Sequence, residues 1–279
     1  MTTVTRFAPS PTGRLHLGHA YAALFAATRA RRDGGRFLLR IEDIDATRCR
    51  REFVDAILED LDWLGLAWEE PVRRQSEHMD DYRAAIERLE AMGVLYPCFC
   101  TRKDIAAEIA RAGGAPHGPD GALYPGICRG LDASTRAARR AAGTAYALRL
   151  DVVRALAITG PLTWRDEAAG EIAADPLSLG DVVLARKETP TSYHLAVTLD
   201  DHLQGVTTVT RGTDLFHATH VHRLLQALLG LDVPRWHHHR LLRDASGERL
   251  AKRAGAPTLQ LLRARGTHPA ALRRELGFE

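Results

Sequence analysis

The chain has 279 residues and a mass of 30.7 kDa, enough for one substantial core or for a large domain carrying a small one. Hydrophobic residues make up 45% and charged residues 26%, a globular composition that excludes a long disordered segment. The 38 basic and 35 acidic residues leave a formal charge of +3, only a weak sign of a polyanionic partner.

No stretch approaches the ~18 apolar residues of a membrane span, and the start MTTVTRFAPSPTG lacks a basic segment followed by an apolar run. The expectation is a cytoplasmic protein without a membrane partner. Three of the four cysteines crowd between Cys98 and Cys128, which fits a metal site better than a secreted disulfide framework.

In chain order, TRFAPS is a short strand stopped by prolines, and HLGHAYAALFAATRARRDG reads as a helix ending at Gly34 and Gly35. GRFLLRIEDID is a second strand ending in Glu42, Asp43 and Asp45, followed by the helical REFVDAILEDLDWLG. Alternating strands and helices predict an α/β fold with a parallel sheet, whose carboxyl edge binds ligands. These elements form a first half-core over residues 1–92.

Glycine content rises over RAGGAPHGPDGALYPGICRG, and residues 93–175 read as a small insertion finishing with the strand-like AYALRL and PLTWRDEAAGEIA. The α/β pattern resumes over 176–240. Residues 241–279 hold the loop SGERLAKRAG and two short helical pieces.

His16 and His19 flank Gly18 at a helix start, where unpaired N–H groups and two imidazoles can face a phosphate. Standing alone, they are as readily ordinary helix-start histidines. GERLAKR gathers Arg249, Lys252 and Arg253, suited to departing pyrophosphate but equally a solvated basic turn. Neither cluster is a P-loop or a dinucleotide-binding turn.

Cys98 and Cys100 lie two apart and Cys128 follows 28 residues later, so three thiolates could hold zinc with His117 or Tyr124 as the fourth ligand. Three buried free thiols are the alternative. Cys49, upstream, has no cluster partner.

The stretches RFAPSPTGRLHLGHA, FLLRIEDIDATR, GDVVLARK, YHLAVTLDDHLQGVTTVTRGTDL and RLAKR together resemble the catalytic core of class I glutamyl-tRNA synthetases. They are similar in particular to the short members that glutamylate queuosine in tRNA(Asp). The resemblance implies a Rossmann-like class I core with a zinc-binding, acceptor-binding-like insertion and a short C-terminal helical remnant.

It also implies roles for particular residues. His16, Gly18 and His19 would form the first ATP motif, with His16, His19 and Lys252 stabilising adenylation. Arg249, Leu250, Lys252 and Arg253 would form the second, and His238 would lie near adenosine. Arg6, Ala8, Ser10, Glu42, Tyr193 and Arg211 would line the glutamate pocket, with Glu42 toward the ammonium, Arg6 toward the side-chain carboxylate, and Tyr193 and Arg211 completing the wall. Cys98, Cys100, Tyr124 and Cys128 would hold one structural zinc, and magnesium would arrive with ATP.

Three departures stand out: Arg249 and Ala251 in the second motif, and Arg240 where a proline is usual. The chain ends 27 residues after Lys252, which points to a short enzyme without an anticodon-binding region; a monomer is expected. The expected partners are ATP, L-glutamate and queuosine-containing tRNA(Asp). Two alternatives remain at this stage: a truncated glutamyl-tRNA synthetase charging a tRNA 3′ end, and a non-catalytic RNA-binding paralogue.

Overall fold

The computed structural model describes residues 2–111, 117–118, 121–186, 189–243 and 257–278. The first half-core runs β1 (Val4–Phe7), α1 (Leu17–Arg32), β2 (Arg36–Ile41), α2 (Arg51–Trp63), β3 (Glu69–Arg74) and α3 (Met79–Ala91). The central region holds β4 (Leu95–Cys98), α4 (Arg102–Arg111), the short pair β5 (His117–Gly118) and β6 (Gly121–Ala122), α5 (Ala133–Ala141), β7 (Ala147–Leu150), α6 (Val152–Thr159), β8 (Thr163–Asp166) and β9 (Gly170–Ala173). Then come β10 (Val183–Ala185), α7 (Tyr193–Leu203), β11 (Thr208–Gly212), α8 (Ala218–Leu229), β12 (Arg235–His239), α9 (Leu259–Ala264) and α10 (Pro269–Glu275).

β1, β2 and β3 pair in parallel, with Arg6 opposite Leu38 and Phe7 opposite Leu39. β11, β12 and β8 form a second parallel set, closed by antiparallel β9. The two sets meet at β1 and β11, where Thr207 N–H donates to Val4 O at 3.0 Å and Val4 N–H to Thr207 Oγ1 at 2.9 Å. Further along, the Arg6 guanidinium reaches Thr210 O at 3.1 Å in place of a ladder bond. The chain leaves β1 toward β2 on one side and β11 toward β12 on the other. This is a topological switch point, the crevice where open α/β sheets bind ligands.

α1 covers this sheet closely because four of its six buried residues are alanines, Ala20, Ala23, Ala26 and Ala30, beside Tyr21 and Leu24. Its end is set by chain geometry: Gly34 has φ 59°, and a Cβ on Gly35 would meet Thr3 O at 2.0 Å. Arg29, Arg31 and Arg32 in its last turn complement the helix dipole. Leu259, Leu272 and Leu276 of the C-terminal region enter the same core as Ile57 and Leu61, and Leu259 N–H donates to Leu15 O at 2.9 Å.

The structure draws the insertion differently from the sequence reading of 93–175. β4, β7 and β10 make a separate antiparallel sheet, so residues 183–185 join the insertion. β8 and β9 instead extend the nucleotide-side sheet, with Asp166 opposite Trp236. The buried Trp164 and Trp236, 5.5 Å apart and nearly perpendicular, anchor that pairing. Among the described residues no helix is long and apolar enough to cross a membrane.

Candidate active site

At the carboxyl ends of β1, β2, β11 and β12 lies a cavity of about 380 Å³. Its wall includes Arg6, Ala8, Ser10, His16, Gly18, His19, Glu42, Tyr193 and Arg211, brought together from four separate stretches of sequence. Residues 249–253 of the second ATP motif, including Arg249, Leu250, Lys252 and Arg253, lie outside the described residues.

His16 is the N-cap of α1, and its Nδ1 accepts from Gly18 N–H at 3.1 Å. His19 Nδ1 accepts from His16 N–H at 3.2 Å, completing a reciprocal capping box. An imidazole that accepts at Nδ1 while neutral carries its proton on Nε2. Both rings, 3.9 Å apart, therefore present Nε2–H donors beside the N-terminus of a 16-residue helix, a suitable electrostatic setting for phosphate.

Glu42 follows β2 and accepts at Oε1 from Arg40 Nη2 at 3.1 Å. Arg40 is fully buried and also donates to Asp201 at 2.8 Å and Gln204 at 3.0 Å. Asp201 in turn accepts from Arg6 Nε at 2.9 Å. Neighbouring Asp200 accepts from Arg73, Gln75 and Tyr82. Burial pushes the Asp201 carboxyl up, but Arg6 and Arg40 prevail and hold it below its ordinary value. Burial pushes Glu42 up, against the pull of Arg40 and Arg6. A substrate ammonium beside Glu42 would favour its charged form.

Arg211 on β11 is also buried, but its partners differ. Its Nε donates to His238 Nε2 at 3.1 Å, and its Nη1 to His222 Nδ1 at 3.2 Å and Tyr193 Oη at 3.4 Å. Nη2 donates to Thr219 Oγ1 at 2.5 Å. Among the described residues no carboxylate forms an ion pair with it. A buried cation without a carboxylate is costly unless an anionic ligand completes it. The cavity thus has a cation at Arg211 for a carboxylate and an acceptor at Glu42 for an ammonium.

The three histidines of β12 alternate as strand residues do. His237 Nδ1 lies 3.1 Å from Glu167, whereas His239 meets Tyr21 edge-on, lies tilted against Phe25 and lines the cavity with Arg240. His238, expected near adenosine, lies behind the wall: its Nδ1 donates to Asp166 at 2.8 Å and its Nε2 accepts from Arg211. Burial, then Arg211, lowers its pKa to about 4. Arg40, Asp201, His222, Thr219 and Asp166 were not singled out from sequence. The available signals were a charge inside the apolar run FLLRI and paired acids inside the buried helix of VTLDDHL.

The cysteine sulfurs of Cys98, Cys100 and Cys128 all lie within 4.8 Å of one another, and those of Cys100 and Cys128 are 3.4 Å apart. Zinc with thiolates at ~2.3 Å in a tetrahedron needs sulfurs roughly 3.8 Å apart, so the cluster fits a metal ion. Tyr124 Oη stands 3.2 Å from Cys98 Sγ and 3.7 Å from Cys100 Sγ, and it accepts from Cys128 N–H at 2.9 Å. Burial pushes the Cys100 thiol up to about 12; a bound cation would reverse this by favouring thiolate.

A larger cavity, about 940 Å³, lies between this cluster and the first cavity and shares Ser10, Glu42 and Tyr193 with it. Arg102, Arg149 and Arg186 line its wall.

Residues 2–278 match the family of class I tRNA synthetases (E and Q), catalytic domain, which defines the class of this fold and site. The chain is 51% identical to a glutamyl-Q tRNA(Asp) synthetase of Rhodobacter capsulatus, over 99% of this chain and 100% of the relative. A second protein of that description, from Deinococcus radiodurans, is 44% identical over 96% of this chain and 86% of its own length. A glutamate tRNA ligase from Elizabethkingia meningosepticum, crystallised in complex with its amino acid, superposes with a TM-score of 0.83 at 27% identity, over 99% of this chain and 60% of that one. The chain belongs to the glutamyl-Q tRNA(Asp) synthetase family.

Proposed function

We propose that this protein activates L-glutamate with ATP and transfers it to the queuosine base at the wobble position of tRNA(Asp). The observation that carries the amino-acid half of this reading is Arg211, a buried guanidinium held by neutral acceptors and facing the same cavity as Glu42. The family relationship supports the acceptor.

In the first step a glutamate α-carboxylate oxygen attacks the α-phosphorus of ATP; the glutamyl-adenylate bond forms as the bond to pyrophosphate breaks. Nε2–H of His16 and of His19 stabilise charge on the phosphoryl oxygens, while magnesium bound with ATP neutralises the triphosphate. Lys252 and Arg249 supply charge for the pyrophosphate by virtue of their motif. Arg211 holds the side-chain carboxylate with Arg6 and Tyr193 alongside, Ala8 and Ser10 complete the wall, and Glu42 holds the ammonium.

In the second step a queuosine hydroxyl attacks the glutamyl carbonyl carbon, its proton leaves to solvent or phosphate, and AMP departs. The larger cavity, lined by Arg48, Arg102, Arg149 and Arg186, is the entrance suited to this polyanionic acceptor. Cys98, Cys100, Cys128 and Tyr124 would hold one structural zinc, which would shape this entrance. The protein works as a monomer in the cytoplasm.

The test is transfer of labelled glutamate, in the presence of ATP, to tRNA(Asp) with and without queuosine and to tRNA(Glu). Label confined to queuosine-containing tRNA(Asp) is the expected result. Label at the 3′ end of tRNA(Glu) overturns the choice of acceptor, and absence of glutamate-dependent ATP turnover overturns the reading of the site.

A further inference from the structure

Behind Arg211 stands a row of imidazoles that the reaction steps above do not use. A guanidinium only donates, so His222 Nδ1, at 3.2 Å from Arg211 Nη1, must accept. The proton of His222 then sits on Nε2, 3.3 Å from His194 Nδ1, and His194 carries its own proton on Nε2. His238 has the opposite tautomer: Asp166 takes the Nδ1–H at 2.8 Å, which frees Nε2 to accept from Arg211 at 3.1 Å. The donor Arg211 fixes the tautomer of His222, and the same donor together with the acceptor Asp166 fixes that of His238.

The consequence concerns charge. Had Arg211 been fixed by a carboxylate, as Arg6 is by Asp201, its wall would be neutral, and a carboxamide side chain would fit it about as well as a carboxylate. Neutral imidazoles fix the guanidinium plane equally well and leave its positive charge for the ligand.

We propose that His222 and His238 are positioning residues for substrate selection: by accepting from Arg211 as neutral imidazoles they orient its guanidinium without neutralising it, so that the pocket takes glutamate and refuses glutamine. Neither residue touches the substrate. His238 does not line the cavity, and His222 packs behind Arg211 against Tyr193 and His194, with ring centroids 5.7 and 5.4 Å away. Both are buried, at 7% and 3% exposure for His238 and His222, and burial followed by Arg211 holds both pKa values below the ordinary histidine range. The inference rests on the glutamate reading of the cavity.

The experiment is amino-acid-dependent ATP–pyrophosphate exchange by the full chain, with glutamate and with glutamine, for the wild type, His222→Asn and His222→Asp. Wild-type exchange with glutamate establishes the underlying reading, and its absence sinks that reading separately. Asn keeps an acceptor near the Nδ1 position, and its glutamate preference should stay within about threefold of wild type. Asp places a carboxylate there, and should raise the glutamate KM about 100-fold and cut the glutamate-to-glutamine preference by a similar factor, with the ATP KM within about threefold.

A folded His222→Asp variant that keeps the wild-type preference overturns the proposal. So does a His222→Asn variant that loses as much as His222→Asp, because side-chain volume and not charge would then be at issue. Should His222→Asp not fold, nitrogen-15 spectra of the histidines in the wild-type chain decide. Neutral rings protonated on Nε2 in His222 and Nδ1 in His238, across about pH 6 to 8, uphold the proposal, and an imidazolium in either overturns it.

Discussion

On the β1–β2 side of the crevice, Arg6 meets Asp201 at 2.9 Å and Arg40 meets the same carboxylate at 2.8 Å. On the β11–β12 side, Arg211 meets two imidazoles and two hydroxyls. All three guanidiniums are buried, yet the first wall is balanced internally and the second is balanced only when an anion arrives. The difference teaches what each wall is for. A network that already contains its counter-ions fixes geometry, whereas a cation left uncompensated is held in readiness for a ligand at a cost to the free protein.

Breaking the first wall should have the largest effect. Asp201→Asn removes the carboxylate shared by Arg6 and Arg40 and leaves two buried cations short of a partner. A loss of about 4 kcal/mol is expected in urea unfolding, enough to remove much of the stability of an ordinary domain. Breaking the second wall should cost function instead. Arg211→Met should lower kcat/KM for glutamate about 100-fold in pyrophosphate exchange, equivalent to about 2.7 kcal/mol, with a melting temperature unchanged or higher. A melting temperature that falls as far as in Asp201→Asn would erase the contrast between the walls.

A buried charge that belongs to neither wall sharpens the comparison. Asp60 on α2 is 1% exposed, neither of its carboxylate oxygens has a hydrogen bond, and Arg263 Nη2 stands 3.8 Å away. Burial pushes its pKa from 3.8 up to about 6. Because the folded protein binds this proton more tightly than the unfolded chain, Asp60 destabilises the fold above about pH 6. That penalty is relieved as the pH falls from 6 through 3.8. Asp60→Asn should therefore raise stability by about 2 kcal/mol at pH 8 and by much less at pH 4, measured by denaturant unfolding at both.

The smallest effect on either wall is expected from Cys98→Ser. It should release bound zinc, read by metal analysis of the purified chain, and reduce transfer to tRNA, while glutamate adenylation stays within about twofold. Equal metal content in the variant and the wild type would remove the zinc assignment.

Much of the cavity was legible in the sequence because its parts are local. His16, Gly18 and His19 need only a helix start, and Arg6 and Glu42 need only strand ends at one sheet edge. What escaped the reading was the support, which is assembled from distant segments. Asp201 lies 195 residues from Arg6, and Asp166 lies 72 from His238. No local pattern announces such a pairing. The assignment of β8 failed for the same reason: alternation of buried Trp164 and Asp166 with exposed neighbours marks a strand but does not say which sheet it joins. His238 was placed by motif near adenosine, yet strand alternation gives that face to His239. The residues around Lys252 lie outside the described structure, so their motif stands on sequence alone.

The seam between β1 and β11 has a mechanical consequence. Fastened at the base by Val4 and Thr207, and spanned higher up by the Arg6 side chain, it resembles a clothes-peg with its spring at one end. β1 and β11 are not paired as a strand ladder, so above the base the two sheet halves are tied by side-chain contacts such as this one. The arginine that helps line the cavity is thus also a tie between its two walls.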